Sequence, residues 1–339
     1  MHPTETMDQN GSEEKFRGGG GARLGGAGYG ILTLDLILPN DESTRNQLGV
    51  FLRDAGSAFD LRVREGTATY TLISAGRPSP TAAGEIASWV SQAERIQSRT
   101  NRITLEWHIS NHAHSKGGPW YAPRIGIDRE LTRAMWRKRL IDMGLAAILF
   151  LLAVYHFALT YERPSDKVAL WFGVTCLTMC ARQTSTSRIA ALLIEEETQL
   201  LFEVATRIEY ITTYLIPAAF CMFISQLVPT RWWSKFTLAS CIIATFYTLV
   251  ALTQSIHTIT LAMASYQVFL VIMCLGCLFY LSQQALSGIV AAKMSLAGFV
   301  PLLIAAFNDI LNHRGVIETE YMSAYGFGLF ILIQSYILV

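Results

Sequence analysis

The chain is short of charge. Only 16% of its 339 residues are Asp, Glu, Lys or Arg, where soluble domains carry about 25%. The shortage is uneven. Residues 1–140 hold 18 Lys/Arg and 15 Asp/Glu, whereas residues 141–339 hold 9 and 11. That asymmetry excludes a single soluble globule. With 51% hydrophobic residues and a net charge of +1, the chain also lacks the low hydrophobicity and high net charge of a disordered one. Its near-neutral balance gives no reason to expect a nucleic-acid partner. Cysteine is missing from the first 140 residues: Cys176, Cys180, Cys221, Cys241, Cys274 and Cys277 all follow them. The polar half therefore has no disulfide framework.

Several chemical signatures are absent as well. There is no G-x-x-x-x-G-K-[ST] phosphate loop, no G-x-S-x-G elbow and no H-E-x-x-H pair. The glycines near the start precede no strand–helix unit, so they form no dinucleotide site. Residues 321–339 contain no Lys for a retinal linkage. Cys274 and Cys277 form a C-x-x-C, but in an apolar run with no electropositive neighbour to activate a thiol. They read as small packing residues. No catalytic residue, cofactor or metal is expected, and the chain reads as no enzyme.

What is present is a series of apolar runs. A membrane span needs about 20 mostly apolar residues, and seven such segments follow residue 140. They lie at 142–160, 168–184, 208–228, 236–253, 258–282, 288–311 and 321–339. The weakest break is the short turn Thr253–Thr258. Arg163, Lys167, Arg231, Lys235 and Lys293 mark one set of connecting loops. The alternate loops carry Glu195, Glu196, Glu197 and Glu203, or no Lys/Arg at all between 253 and 258. By the positive-inside bias the first set is cytoplasmic, the N-terminal half lies outside, and Val339 lies inside. Arg133, Arg137, Lys138 and Arg139, just before the first span, run against that bias. Trp232 and Trp233 fall at an inner boundary; Trp136, Tyr210 and Tyr321 fall at outer ones.

Residues 29–127 read differently. Period-two alternation predicts strands at Tyr29–Leu38, Leu48–Arg53, Ala58–Arg64 and Ala68–Ile73, with turn signals between them. A later strand puts Ile103, Leu105, Trp107 and Ile109 on one face and Thr104, Glu106, His108 and Ser110 on the other. Such spacing suggests an all-β sandwich. Thr81–Ile96 breaks the pattern and reads as a loop with a short helix. Residues 128–141 read as a charged linker helix running into the first span. Residues 1–28 form a flexible Gly-rich segment, with seven glycines in Gly18–Gly28. No secretory apolar stretch precedes Gly30. Either the start is incomplete or mis-assigned, or the first span carries the tail across unaided; the former is favoured.

Two segments then carry a resemblance. One is Ile109-Ser-Asn-His-Ala-His-Ser-Lys-Gly-Gly-Pro-Trp-Tyr-Ala-Pro-Arg-Ile-Gly126; the other is Met143-Gly-Leu-Ala-Ala-Ile-Leu-Phe-Leu-Leu-Ala-Val-Tyr-His156. With Leu170-Trp-Phe-Gly, Thr178-Met-Cys-Ala-Arg182, Arg207-Ile-Glu-Tyr210 and Pro217, they resemble bacterial seven-transmembrane receptors with diverse intracellular signalling modules. The resemblance covers roughly residues 29–339. It implies a jelly-roll-like extracytoplasmic sensor domain, a seven-helix bundle in the bacterial inner membrane, and a cytoplasmic output module such as a cyclase, kinase or phosphatase. The lack of the family's early strands, signal peptide and output module is a departure, which suggests a fragment, or a receptor core whose output is absent or supplied by another protein. A homodimer is compatible with this plan.

Two groups of residues are candidate sites. In the first, Asn111, His112, His114, Trp120, Tyr121 and Arg124 form either an exposed polar turn or a ligand rim. In the rim reading, Trp120 and Tyr121 stack on a sugar-like or small polar ligand, and the others supply polar contacts. His112 and His114 alone lack the third ligand that zinc needs. The second group is Arg182, Arg207, Glu209 and Asp309, which fall toward the outer ends of their spans. Ionisable residues at that depth are costly and default to functional roles. A pairing of Arg182 with Glu209 or Asp309 would link helices; the alternative is snorkelling to water. His156 reads as an interhelical contact, and Pro217 and Pro301 as kink sites. The chain thus reads as a sensory receptor core that binds an extracytoplasmic ligand and signals across the bilayer. A secondary transporter or membrane subunit with an exported binding domain is the alternative, and a structural protein with a carbohydrate-contacting head a third.

Overall fold

The computed structural model describes residues 28–52, 56–89, 92–117, 123–165, 167–189, 198–317 and 319–338. The chain divides into two compact units. The first comprises residues 1–140 with 191–204 and 255–260; the second comprises 141–190, 205–254 and 261–339.

The first unit is built on two antiparallel sheets. Its strands are β1 (Gly28–Ile37), β2 (Leu48–Leu52), β3 (Ala58–Glu65), β4 (Ala68–Ala75), β5 (Gln92–Arg95), β6 (Arg102–Asn111) and β7 (Arg124–Ile127). One sheet has the order β1-β6-β3-β4 and the other β5-β2-β7. The alternation read in the sequence sets the register. Trp107 pairs with Leu32 of β1 and Leu61 of β3, so one face of three strands is apolar together. Leu36, Val50, Leu52, Leu61, Val63 and Ile103 join one core drawn from both sheets. Each such fully buried side chain contributes about 1.5–3 kcal/mol.

Two strands were not expected from the sequence. β5 lies inside the stretch read as a loop, and β7 is only four residues long. Neither has the length for alternation to register; each is specified by pairing with β2. The expected short helix is a single 3₁₀ turn, Ala82–Gly84. Gly76 has φ +64°, and a Cβ there would meet the Ile86 carbonyl oxygen at 1.9 Å. Only glycine allows that crossing, which the paired hydrogen bonds between Arg77 and Ile86 close. The short helix α1 (Glu42–Arg45) is capped by Asp41, whose side chain accepts from the Thr44 N–H at 2.9 Å.

Seven further helices occur among the described residues: α2 (Asp128–Glu162), α3 (Lys167–Thr186), α4 (Gln199–Leu227), α5 (Arg231–Thr253), α6 (Ile256–Leu286), α7 (Val290–His313) and α8 (Ser323–Leu338). They fall where seven spans were read, though α2, α4, α5 and α6 begin earlier than the apolar runs. Five are long and apolar enough to cross a membrane: α2, α4, α5, α6 and α7. In α3, Thr, Gln and Arg dilute the apolar run, and α8 has 16 residues. The charged stretch from Asp128 and the first apolar run form one uninterrupted helix.

The second unit is packed opposite to a soluble domain. On α5 the buried positions are Trp233, Thr237, Ser240, Ala244 and Ala251, while Leu238, Ile242, Phe246 and Leu249 are exposed. A large apolar face turned outward suits hydrocarbon as solvent. Helices α7 and α8 approach closely through small residues. A Cβ on Gly326 would lie 2.7 Å from the Ala305 Cβ and 3.1 Å from the Leu302 Cα.

The two ends of this unit differ. At the end holding the α4–α5 connection, aromatic groups close the packing. The Trp233 and Tyr280 rings stack at 4.3 Å and 8°. Trp233 Nε1 donates to the Cys221 carbonyl, and the Tyr280 hydroxyl to the Val228 carbonyl. His156 meets Phe172 of α3 edge-on, with ring centroids 4.6 Å apart, on the same side. At the opposite end, side-chain hydrogen bonds and ion pairs take over.

Candidate functional site

Within the second unit a cavity of about 160 Å³ opens among α3, α4, α6, α7 and α8. Met179, Pro217, Phe220, Met273 and Phe299 are among its apolar walls. Arg182, Glu209 and Asp309, read in the sequence as separate charges, all line this cavity. Arg207 does not. Its Nη1 instead donates to the Ala251 carbonyl and ties α4 to the end of α5.

The partners of these charges differ from the pairing expected. Arg182 Nη1 donates to the Thr213 hydroxyl and, at 3.4 Å, to the main-chain carbonyl of Glu209. The Glu209 carboxylate is held by Arg188, with Nη1 3.0 Å from Oε2. Arg188 sits just beyond α3 with φ 53°, a left-handed turn that no helical spacing would reveal. Asp309 is taken up differently again. Its oxygens accept from the Met322 N–H at 2.6 Å, the Ser323 N–H at 3.0 Å, the Ser323 hydroxyl and the Asn308 amide at 3.2 Å. A residue of α7 thereby caps the N-terminus of α8, satisfying donors that a helix start leaves open. Asn308 completes the fastening by donating to the Glu320 carbonyl and accepting from Thr319.

Two buried polar residues were missed by sequence reading. Asp142 of α2 accepts from Gln183 of α3 at 3.1 Å and from the Tyr325 hydroxyl of α8 at 3.3 Å. Gln267 of α6 is 3% exposed and lines the cavity, and its Oε1 has no hydrogen-bond partner among the described residues. An acidic residue at the mouth of a predicted span was a signal for Asp142. A lone Gln in an apolar run was the only signal for Gln267.

In the first unit, the turn after β6 is locally committed. The Asn111 side chain donates to the His114 carbonyl at 2.7 Å and accepts from its N–H at 3.0 Å. The His114 ring is buried, accepts from the Lys116 N–H and meets Trp89 edge-on at 6.2 Å. His112 places Nε2 3.2 Å from the Ser79 carbonyl, and its N–H donates to Glu85. Arg124 is exposed at the start of β7. Trp120 and Tyr121 lie outside the described residues, as does the Gly-rich start. The same unit includes Gln199, whose Oε1 accepts from the Ala87 N–H, and Phe202, which stacks on Trp89 at 5.3 Å. Thr260 accepts from the Ser115 N–H.

A more continuous polar surface lies across the outer face of the larger sheet. Tyr29 Oη is 2.7 Å from His108 Nδ1, Arg64 pairs with Glu106 at 2.9 Å, and Arg62 pairs with Asp60 at 3.1 Å. Burial, and then the Arg62 charge, lower the His108 pKa, against the opposing charges of Glu106 and Asp60. Among the described residues no cluster of three or more His, Cys, Asp or Glu side chains is placed to hold a metal ion.

A family model described as 7TM diverse intracellular signalling matches residues 138–339. No curated protein matches the chain. The matched segment contains all of the second unit, including every residue that lines the cavity.

Proposed function

The chain belongs to the 7TM diverse intracellular signalling family, and from that premise we propose that it is the sensory core of a receptor in a bacterial inner membrane. It is a multi-pass membrane protein with a signalling role; the family is one of signalling receptors rather than of enzymes. In this reading the β unit faces outward and meets a ligand. The bundle shifts between two packings and biases a cytoplasmic output module, fused or separate.

The family match across the bundle carries the proposal. Three observations support its details. The Tyr29–His108–Glu106 sheet face offers hydroxyl, imidazole, carboxylate and guanidinium groups side by side, which suits a polyhydroxylated, carbohydrate-like ligand. The turn residues Asn111, His112 and His114 would brace that surface, with Arg124 exposed nearby in sequence. Arg182, Glu209 and Asp309 gather around one cavity, the first two fastening α4 to the end of α3 and the third fastening α7 to α8, so a small shift of α8 or of the end of α3 breaks identifiable bonds. A ligand moves such an equilibrium only through unequal affinity for the two packings.

The experiment fuses residues 1–339 to a reporter cyclase in a bacterial inner membrane. Output is expected to depend on the β unit and to change when Asp309 becomes Ala. Constitutive output that is unchanged by deleting residues 29–125 and by Asp309→Ala would overturn the proposal.

A further inference from the structure

Gln267 is the unusual residue of the cavity. Its amide is buried within the bundle, and Oε1 has no hydrogen-bond partner among the described residues. Leaving such an acceptor dry costs about 1–3 kcal/mol, so the arrangement favours an occupant that donates to it. The neighbouring Tyr266 donates its hydroxyl to the carbonyls of Thr213 and Tyr214. The hydroxyl of the same Thr213 accepts from Arg182. Gln267, Thr213 and Arg182 all line the one cavity, as polar groups in an otherwise mostly apolar wall.

The charges around the cavity are unequal in what they leave over. Glu209 is taken by Arg188, and the Asp309 oxygens are filled by donors of the α7–α8 connection and α8. Among the described residues Arg182 forms no ion pair; its recorded partners are a hydroxyl and a carbonyl. Glu209 and Asp309 line the same cavity but are committed elsewhere, so the Arg182 guanidinium, with no carboxylate within ion-pair distance among the described residues, is the group there that favours an anion. The cavity, at about 160 Å³, is close to the roughly 150 Å³ engineered cavity that takes up benzene. Its walls of Met, Phe, Leu and Pro suit one ring or a short hydrocarbon body.

We propose that this cavity is a binding site for a small amphipathic organic acid, whose apolar body fills the space, whose anionic oxygen meets Arg182 and whose hydroxyl donates to Gln267. The proposal goes beyond the receptor reading, since it puts a ligand inside the bundle whatever the β unit recognises.

The test measures binding of benzoate, phenol and meta- and para-hydroxybenzoate to the full chain in phosphatidylcholine nanodiscs. At least one hydroxybenzoate is expected to bind saturably and about tenfold more tightly than benzoate or phenol, the worth of one good polar contact. Gln267→Leu should erase the preference for hydroxybenzoate over benzoate. Arg182→Gln should erase the preference for hydroxybenzoate over phenol. Leu303→Trp, which fills the cavity, should abolish binding of all the probes. If Arg182→Gln fails to fold, the Gln267 and Leu303 variants decide. No saturable binding overturns the proposal, as does binding that survives Leu303→Trp, which is partition into lipid. Binding that Leu303→Trp blocks but that ranks the probes alike overturns the assigned chemistry. A retained phospholipid found by native mass spectrometry, with no probe bound, assigns the cavity to an acyl chain instead. The readout is occupancy rather than signalling output, so each of these results leaves the receptor reading to its own experiment.

Discussion

The two units solve opposite solvent problems with the same residue types. In the β unit, Leu61, Leu105 and Ile109 turn inward and the charged face of Arg62, Arg64 and Glu106 turns out. In the bundle, Leu238, Ile242 and Phe246 turn outward, while Thr237, Ser240, Asp142 and Asp309 are buried. Apolar burial from water drives the first. It offers little to the second once the helices lie in hydrocarbon, where close packing and internal hydrogen bonds hold them. Polar side chains are therefore surface features in one unit and fastenings in the other.

Mutations can break that contrast. The largest effect is expected from Leu105→Ala in the β core, a loss of about 2–5 kcal/mol by transfer and cavity terms, read from Trp107 fluorescence during urea unfolding. Next comes Ile242→Lys at the centre of the outward face of α5. It should lower membrane insertion by about 3 kcal/mol, whereas Ile31→Lys on the outer sheet face should change stability by less than about 0.5 kcal/mol; a glycosylation-based insertion assay and urea unfolding check the two. Equal effects would remove the solvent contrast altogether.

Asp309→Ala should cost about 1–3 kcal/mol, because it strands the N–H groups at the start of α8. A thermal unfolding series in nanodiscs measures it. A smaller effect is expected at His108. Its pKa in the fold lies below the ordinary 6.5, so the unfolded chain takes up the proton first. The stability is present above pH 6.5 and is lost as pH falls through the lower folded value. His108→Asn should flatten that acid-side decline, seen as a reduced pH dependence of the urea midpoint between pH 7 and 5. The smallest effect is expected from Cys274→Ala: a wall atom of the cavity is lost but no hydrogen bond, and the thermal midpoint should move less than with Asp309→Ala.

Much of the fold was legible. Period-two alternation located β1, β2, β3, β4 and β6, and seven apolar runs located α2 to α8. Where the sequence was silent, the elements were short: β5 and β7 borrow their definition from β2. The charged residues of the bundle were legible as costly and therefore notable. Their partners were not. Arg182 and Glu209 looked like a pair because opposite charges in adjacent helices attract. The left-handed turn at Arg188 brings a second guanidinium to Glu209 and leaves Arg182 to Thr213. Asn111, His112 and His114 were read as either a polar turn or a ligand rim; Asn111 and His114 hold each other within the turn, while His112 is held by Glu85 and Ser79 from a distant stretch of chain.

The sequence alone thus determined the solvent of each half, the positions of the apolar helices and the inward face of each long strand, because these depend on periodicity and on transfer free energies that each residue carries with it. Only the tertiary structure decided that Asp309 caps α8, that Asp142 joins α2, α3 and α8, and that Gln267 and Arg182 line one cavity. Those facts depend on which helices stand side by side, and no spacing within one helix encodes its neighbour across the bundle.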